Sequence, residues 1–399
     1  MGMNSDIRVL IADDTALYRK ILSMAVEKVD GTKVVATASD GILALETLKR
    51  QPADLVLLDV CMPRMDGLDA LKEIGKLYPG VSVVMLSGVT TADADTTVEA
   101  LQSGALEFIP KPKSRSIDES MEQLRQELVR IVRLVRVRRS VTAITSRSIL
   151  FPPKEPPPEH RHVPLPEGRP PVFPSPVAPP AAPVAPVAPV APRKVVSFDP
   201  DRSLVVIGVS TGGPNALNRL FSLMPKKIGC PILVVQHMPA FFTASLATFI
   251  SKKTGLLVKE GADGEALRND TVYIAPGGRH MVLEREGLGF NTTYRLRLND
   301  DPPVNSCRPS VDVLFNSVAE HYQGGIISVI MTGMGEDGTA GVERIRRRGN
   351  CISLAQNEAT CVVYGMPRSV AEKGLVDEVI PLDGIAPRIS ELLSQRKGN

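Results

Sequence analysis

The chain has 399 residues, enough for two or three domains, and its 47 basic and 44 acidic side chains leave a formal net charge of +3. This near-balance gives no reason to expect nucleic acid as a partner, and the low aromatic content of 4% argues against a base-stacking surface. A composition of 43% hydrophobic and 23% charged residues excludes wholesale disorder.

Cysteine usage and the absence of long apolar runs bear on the compartment. The five cysteines form no C-x-x-C pair and show no zinc-ligand spacing, which is typical of reduced thiols in a cytosol. The opening residues, MGMNSDIRVL, lack a basic region leading into an apolar stretch, and no run of 18 apolar residues occurs. We therefore expect a cytoplasmic protein without a signal peptide or a membrane span.

The first 140 residues alternate short apolar runs with segments of helical periodicity. The runs are rich in β-branched residues, as strands buried on both faces are, and they lie at 8–12, 34–38, 55–58, 81–86 and 106–109. A last helix begins at about Ile117 and ends in a basic tail. Five βα units predict an α/β fold with a doubly wound parallel sheet.

Five polar residues fall at the carboxyl ends of these predicted strands. Asp13 and Asp14 follow the first strand and Asp59 ends the third, while Ser87 ends the fourth and Lys111 follows the fifth. Ligands bind doubly wound sheets at this edge, and three converging carboxylates favour a hard divalent cation such as Mg²⁺. One carboxylate could then accept a phosphoryl group, with Ser87 and Lys111 contacting the phosphate oxygens. A single strand-end Asp is more often a helix N-cap, but five such positions together favour a site.

The segments DDTALYRK, LLDVCMPRMDGL and FIPKP resemble a response-regulator receiver domain over about residues 6–125. The resemblance implies a flavodoxin-like fold, phosphorylation on Asp59 by a histidine kinase, and a cis bond between Lys111 and Pro112. It also implies an Mg²⁺ site made of Asp14 and Asp59, with Asp13 assisting and the carbonyl of Cys61 as a further ligand.

Proline residues are concentrated in the middle of the chain. Seventeen of the 34 prolines lie between 152 and 192, in a tract that ends in VAPVAPVAP. Such a composition cannot bury enough apolar surface to offset its ordering entropy, so we expect an extended spacer rich in polyproline II. At ~3.1 Å per residue its reach is at most on the order of 130 Å.

The second part again alternates predicted strands with helices and glycine-rich turns. Strands are expected at 204–209, 232–236, 271–275 and 326–331, and a hairpin over about 281–298 with its turn at Gly287. This pattern predicts a second α/β domain with a largely parallel sheet.

The stretch LVVIGVSTGGPNAL predicts a strand, a tight glycine turn and a helix, and it supports two interpretations. One is a loop that binds a phosphate or dinucleotide at a helix N-terminus, although neither G-x-G-x-x-G nor G-x-x-x-x-G-K-[ST] is present. The other is a nucleophile elbow, since residues 208–212 fit G-x-S-x-G with Ser210 at the centre. A helix-capping serine is the simpler explanation of that match alone.

Possible partners for Ser210 lie at other strand ends. The second strand leads to His237 in QHMP, and a later strand leads to Asp337 in TGMGEDG, which together follow the logic of a catalytic triad. His280 in APGGRHM is the rival base, and spacing alone does not exclude it. His160 and His162 lie in the proline-rich tract, and His321 lies in a predicted helix.

Six segments of the second part resemble the catalytic domain of the protein-glutamate methylesterases of bacterial chemotaxis. They are IGVSTGGP, VVQHMP, YIAPGGRHM, NSCRPSVDVLF, VIMTGMGEDGTAG and AQNEATCVVYGMPRSV, and the likeness runs from about 204 to 380. The resemblance implies hydrolysis of glutamyl methyl esters and deamidation of glutamines on the cytoplasmic domains of chemoreceptors. It assigns Ser210, His237 and Asp337 to catalysis and the backbone N–H of Met334 to the oxyanion, with no cofactor for this step.

With the receiver in front, the resemblance implies a phosphorylation-regulated hydrolase of chemotaxis adaptation. We expect a receiver at 1–125, a helix tail and Pro/Ala/Val-rich linker at 126–200, and a methylesterase domain at 201–396. A chemotaxis histidine kinase would supply the phosphoryl group, and contact with the membrane would be through the receptors only.

Two other classes of function stay open at this point. Receivers often precede DNA-binding domains, but the balanced charge and the large second domain oppose a transcription regulator. A nucleotide-binding α/β domain would use the glycine-rich stretch at 208–213 as an anion cradle.

Overall fold

The computed structural model describes residues 6–88, 90–112, 116–148, 198–287 and 292–394. The proline-rich spacer expected at 152–192, with His160 and His162, lies outside these ranges. Within them, no helix combines the length and the apolar character that crossing a membrane requires.

The amino-terminal part is a five-stranded parallel sheet with helices between the strands. The strands are β1 (Ile7–Ala12), β2 (Thr32–Ala38), β3 (Leu55–Asp59), β4 (Ser82–Ser87) and β5 (Glu107–Pro110). The helices are α1 (Ala16–Glu27), α2 (Gly41–Arg50), α3 (Gly67–Leu77), α4 (Thr91–Gln102) and α5 (Ile117–Ser148). The spatial order β2-β1-β3-β4-β5 confirms the doubly wound sheet, and every residue of β3 and β4 is buried.

Helix α5 is longer than a boundary at residue 125 suggests. Its apolar positions Leu124, Leu128, Ile131 and Val135 are buried against the amino-terminal sheet, because they recur at the spacing of one helix face. The expected domain boundaries stay predictions. The Lys111–Pro112 bond is not cis, contrary to expectation; the cis peptide recorded in the described ranges joins Arg308 and Pro309.

The carboxyl-terminal part contains a seven-stranded parallel sheet and a separate hairpin. Its strands are β6 (Ser203–Val209), β7 (Ile232–Gln236), β8 (Leu257–Glu260), β9 (Thr271–Ile274), β10 (His280–Glu286), β11 (Thr293–Asn299), β12 (Gly325–Ile330), β13 (Cys351–Gln356) and β14 (Glu378–Ile380). Its helices are α6 (Gly213–Ser222), α7 (Phe242–Thr254), α8 (Val311–His321), α9 (Thr339–Arg346), α10 (Met366–Glu372) and α11 (Leu382–Ser394).

The sheet order β14-β13-β12-β6-β7-β9-β8 accounts for the convergence of the candidate residues. Strand β6 lies between β12 and β7 and pairs with both in parallel, so the segments that follow the three strands meet at one edge. The expected hairpin is confirmed as the antiparallel pair of β10 and β11, and Gly287 at its end has a φ of 80°. Three strands, β8, β13 and β14, were not predicted from the sequence.

Candidate functional site

Three carboxylates meet at the carboxyl edge of the amino-terminal sheet. Ligand oxygens of Asp13, Asp14 and Asp59 all lie within 4.8 Å of one another, and Asp13 and Asp59 are buried while Asp14 is exposed. Lys111 Nζ lies 2.8 Å from Asp13 Oδ2 and 2.8 Å from Asp59 Oδ1. Three acidic groups thus face one ammonium group, a donor set that fits a hard divalent cation with oxygen ligands.

The electrostatics of Asp59 reflect this crowding. Burial raises the pKa of Asp59 to about 6 against the lowering effect of Lys111, and the neighbouring Asp13 and Asp14 add to the rise. Ser87 is fully buried at the end of β4, and its Oγ lies 2.6 Å from Oγ1 of Thr97 in α4. Ser87 therefore links the acidic edge to α4.

Ser210 occupies the turn between β6 and α6. The turn requires Gly212, whose φ of 75° lies in the left-handed region, and Pro214 in the first turn of α6 has a backbone preset for the helix. Ser210 N donates to the carbonyl of Thr332 at 3.0 Å. Close approach explains Gly333, since a Cβ there would lie 2.7 Å from Cβ of Ser210. The segment after β12 is thus fitted directly onto Ser210.

His237 and Asp337 form a hydrogen-bonded pair at the same edge. His237 Nε2 lies 2.8 Å from Asp337 Oδ2, and the imidazole is only 12% exposed. Burial lowers the pKa of His237, but the hydrogen bond to Asp337 and the contact with Cys307 raise it on balance to about 9.

The Asp337 carboxylate is held at the amino end of α8. Its Oδ2 accepts from Val311 N at 2.7 Å, and its Oδ1 accepts from Ser310 Oγ at 2.8 Å and from Asn305 Nδ2 at 2.9 Å. Burial would raise the pKa of Asp337, but His237 and these donors hold it well below its usual range. The carboxylate is therefore ionised and fixed in position.

Ser210 and His237 share a cavity of about 670 Å³ with Met334 and Cys307. In the described ranges, the side-chain hydrogen bond at His237 Nδ1 is with Sγ of Cys307, at 3.5 Å, and Ser210 Oγ makes none. The structure thus brings His237 and Asp337 into contact and places Ser210 in the cavity without a serine–histidine bond.

His280, the rival base, is engaged elsewhere. It is fully buried, its Nε2 lies 3.2 Å from the carbonyl of Pro302, and its Nδ1 accepts from Ser310 N at 3.2 Å. Both ring nitrogens therefore serve the backbone, and His280 does not line the cavity of Ser210.

The amino-terminal part closes one side of this cavity. Residues 6–138 and 198–394 belong to one compact unit, and Glu107, Phe108 and Arg130 line the cavity together with Ser210. Arg130 Nη1 lies 3.1 Å from Glu107 Oε2 and donates to Oγ1 of Thr211 at 3.3 Å. A residue of α5 thus contacts the turn that carries the candidate nucleophile.

Further side-chain contacts join the amino-terminal and carboxyl-terminal parts beside the cavity. Asn215 Nδ2 donates to the carbonyl of Leu101 at 2.8 Å, and Asn218 Nδ2 donates to Gln102 Oε1 at 2.7 Å. The rings of Phe108 and Phe242 lie with centroids 4.5 Å apart. Helices α4 and α6 are therefore bound to each other by specific polar contacts.

Sequence reasoning missed the roles of Cys307 and Asn305. Cys307 touches the candidate base, and Asn305 Nδ2 donates both to Asp337 and, at 2.9 Å, to Asp312. Both residues belong to the loop before α8, in a segment that was noted only for its resemblance. No strand-end rule points to them, because the loop reaches the site from outside the sheet.

Two models of known protein families match this chain, one in each half. A family model described as response regulator receiver domain matches residues 9–122, and one described as CheB methylesterase matches residues 205–389.

Relatives named protein-glutamate methylesterase/protein-glutamine glutaminase match nearly the whole chain. One from Desulfotalea psychrophila is 39% identical over 96% of this chain and 98% of its own length. One from Geobacillus kaustophilus is 38% identical over 98% and 99%. Among solved structures, the Thermotoga maritima CheB methylesterase catalytic domain is 42% identical over 49% of this chain and 100% of that chain, with a TM-score of 0.45. Because both halves and the full length match, the chain belongs to the family of protein-glutamate methylesterases/protein-glutamine glutaminases, with a receiver domain and a CheB methylesterase domain.

Proposed function

We propose that this chain hydrolyses methyl esters of glutamate side chains on chemoreceptor cytoplasmic domains and deamidates receptor glutamines. The observation that carries the proposal is the His237–Asp337 pair at 2.8 Å, which opens onto a cavity shared with Ser210. The test is release of methanol from a methylated receptor fragment by the purified full chain. Failure to release methanol under any state of phosphorylation would overturn it.

In the proposed mechanism Ser210 Oγ attacks the ester carbonyl while His237 Nδ1 accepts its proton. The protonated imidazole then gives that proton to the leaving methanol, and water hydrolyses the acyl-enzyme by the same steps in reverse. Asp337 orients the ring and stabilises the imidazolium, a role that suits its fixed and ionised carboxylate. For a glutamine substrate the leaving group is ammonia.

This mechanism requires one local rearrangement. Since Nε2 donates to Asp337, the nitrogen left for Ser210 is Nδ1, which now contacts Cys307 Sγ. Ser210 Oγ must therefore replace the thiol as the partner of Nδ1 when substrate binds. Met334 lines the same cavity, which is consistent with its backbone N–H stabilising the oxyanion.

We further propose that the receiver domain controls this activity through phosphorylation of Asp59. Asp13, Asp14 and Asp59, with the carbonyl of Cys61, would hold Mg²⁺, which neutralises charge on the incoming phosphoryl group. The phosphate oxygens would be contacted by Ser87 and by Lys111. The ammonium group of Lys111 already lies between Asp13 and Asp59. The cavity walls contributed by Glu107, Phe108 and Arg130 support a resting state in which the receiver restricts access to Ser210.

The partners follow from this proposal. The phosphodonor would be a chemotaxis histidine kinase, and the substrates would be methylated receptors, through which alone the protein meets the membrane. A cytoplasmic location stays a prediction from the cysteine composition.

We expect Asp59→Asn to abolish phosphate incorporation. The substitution removes the nucleophilic carboxylate oxygen while preserving the size of the side chain. Incorporation by the wild type should need Mg²⁺, measured with a small-molecule phosphodonor at neutral pH because acyl phosphates are labile. Asp69→Asn, on the exposed start of α3, is the matched control. Undiminished incorporation by Asp59→Asn would move the acceptor to another residue.

The esterase rate should rise with pH through the pKa of His237. A general base must be neutral, and Asp337 and Cys307 stabilise the imidazolium, so the rising limb of kcat/KM should lie above pH 6.5 and towards about 9. Other charged groups line the cavity: Glu107, Glu127, Arg130 and Arg308. In Asp337→Asn the remaining activity should have its rising limb at lower pH, because the stabilising anion is gone. A wild-type limb at or below 6.5 would contradict this account of His237.

A further inference from the structure

The contact between His237 and Cys307 has no part in the proposed hydrolysis. Sγ of Cys307 lies 3.5 Å from Nδ1 of His237, while the opposite ring nitrogen is held by Asp337 at 2.8 Å. The three side chains present a nitrogen, a sulfur and an oxygen ligand atom within 4.8 Å of one another. Sulfur and imidazole nitrogen are the donors that Zn²⁺ prefers.

The spacing of the two donors fits a single tetrahedral ion. With Zn–S of ~2.3 Å and Zn–N of ~2.05 Å, a tetrahedral angle separates the two donor atoms by about 3.5 Å. The observed separation of Cys307 Sγ and His237 Nδ1 is 3.5 Å. The distance between the two donor atoms therefore matches the distance expected across one shared tetrahedral ion.

Asp337 has the position of an outer-sphere partner. Zinc-bound histidines usually donate their second ring N–H to a carboxylate, which fixes the tautomer and leaves the other nitrogen free for the metal. Asp337 does this for His237, and its two oxygens also accept from Ser310, Val311 and Asn305. Its role toward an ion at Nδ1 is thus to orient the ring.

The remaining coordination positions face the cavity. Cys307 and His237 line it together with Ser210, so water or the serine hydroxyl can complete the coordination. Such open positions distinguish exchangeable zinc sites from closed structural ones. The acidic cluster of the receiver domain offers oxygen ligands and no sulfur or imidazole nitrogen, and it suits Mg²⁺ instead.

We propose that His237 Nδ1 and Cys307 Sγ bind Zn²⁺ or a similar thiophilic divalent ion, and that this binding reversibly inhibits the hydrolase. The inference rests on the proposed function for its effect and on the donor geometry for its site. Coordination releases the thiol proton to solvent and occupies the lone pair with which His237 would accept the proton of Ser210. The S–H bond is the only covalent bond that breaks and no oxidation occurs, so a chelator removes the ion, the thiol takes its proton back from solvent, and activity returns.

The test uses the full chain freed of transition metals and kept in excess Mg²⁺, which occupies the receiver cluster. Zn²⁺ is titrated while methanol release is measured, and the rate of each variant is compared with its own rate in Mg²⁺ without Zn²⁺. We expect Zn²⁺ to inhibit the wild type reversibly by EDTA, and Cys307→Ser and Cys307→Ala to need at least about 10-fold more Zn²⁺. Cys361→Ser changes a half-buried thiol outside the cavity, and Zn²⁺ should inhibit this variant at the same concentration as the wild type.

A second readout separates this inference from the proposed function. Co²⁺ bound at the site should give a thiolate charge-transfer band that disappears in Cys307→Ser and persists in Cys361→Ser, whether or not the chain hydrolyses esters. Equal inhibition of wild type and Cys307→Ser, or a cobalt complex without that band, would overturn the proposal. Inhibition that EDTA fails to reverse would assign the effect to thiol damage and would overturn it as well.

Discussion

Ser210→Ala should lower the rate of methyl-ester hydrolysis by about 10⁴-fold or more, with little change in stability. The hydroxyl makes no hydrogen bond in the described part of the chain, so its removal leaves no buried partner unsatisfied. His237→Ala should lose a similar factor, because the base is gone. The measurement is single-turnover methanol release, together with thermal unfolding of each variant.

The double variant of Ser210→Ala and His237→Ala should be little worse than either single variant, since the members of a triad act as a unit. Asp337→Ala should lose activity and also stability, because several donors at the start of α8 would lose their acceptor. His280→Asn is the matched control for the base. Near-full activity of His237→Ala combined with an inactive, folded His280→Asn would reverse the assignment.

Loss of the polar contacts between α4 and α6 should raise the rate of the unphosphorylated enzyme. Asn215→Ala and Asn218→Ala together remove two hydrogen bonds, to Leu101 and to Gln102, each contributing roughly 0.5–1.5 kcal/mol. A shift of about 1.4 kcal/mol towards an open arrangement would expose the cavity about tenfold more often. The measurement compares methyl-ester hydrolysis with and without a phosphodonor.

The design separates gating from damage to the site, since Asn215 and Asn218 lie on the helix that follows Ser210. The phosphorylated rate should match that of the wild type. Arg219→Ala, on the same helix but paired with Asp383 of the methylesterase domain, should leave both rates unchanged. An unchanged resting rate in the double variant would argue that these contacts do not restrain the site.

The linker offers an independent test of the same gating. Fragment 195–399 should hydrolyse methyl esters faster than the unphosphorylated full chain. In a variant that lacks residues 152–192, the unphosphorylated receiver should inhibit the esterase at least as strongly as in the full chain. The closure entropy of a chain segment rises by only about 0.6 kcal/mol for each doubling of its length, so we expect the long tract to weaken inhibition rather than abolish it. Equal rates for the fragment and the resting full chain would exclude occlusion by the receiver.

The sequence by itself determined the two parallel sheets and the edge at which each site lies. Strands buried on both faces are continuous apolar runs, and parallel strands bring their carboxyl ends together, so Asp13, Asp59 and Ser210 could be placed from local pattern alone. The same pattern left β8, β13 and β14 unrecognised. β8 and β14 are short and lie at the sheet edges, where exposed positions interrupt the apolar run. In β13 the polar residues Ser353 and Gln356, both buried, interrupt it instead.

Only the tertiary structure decided which histidine faces the cavity and what it touches there. His237 and His280 both follow or begin strands, and they differ in that His280 is fully buried between the backbone groups of Pro302 and Ser310. Cys307 is 70 residues from His237 in sequence, so their contact depends on the course of a loop outside the sheet. The same holds for Arg130 beside Thr211, because a contact between two domains depends on how their surfaces fit, and no periodicity within either one encodes that fit.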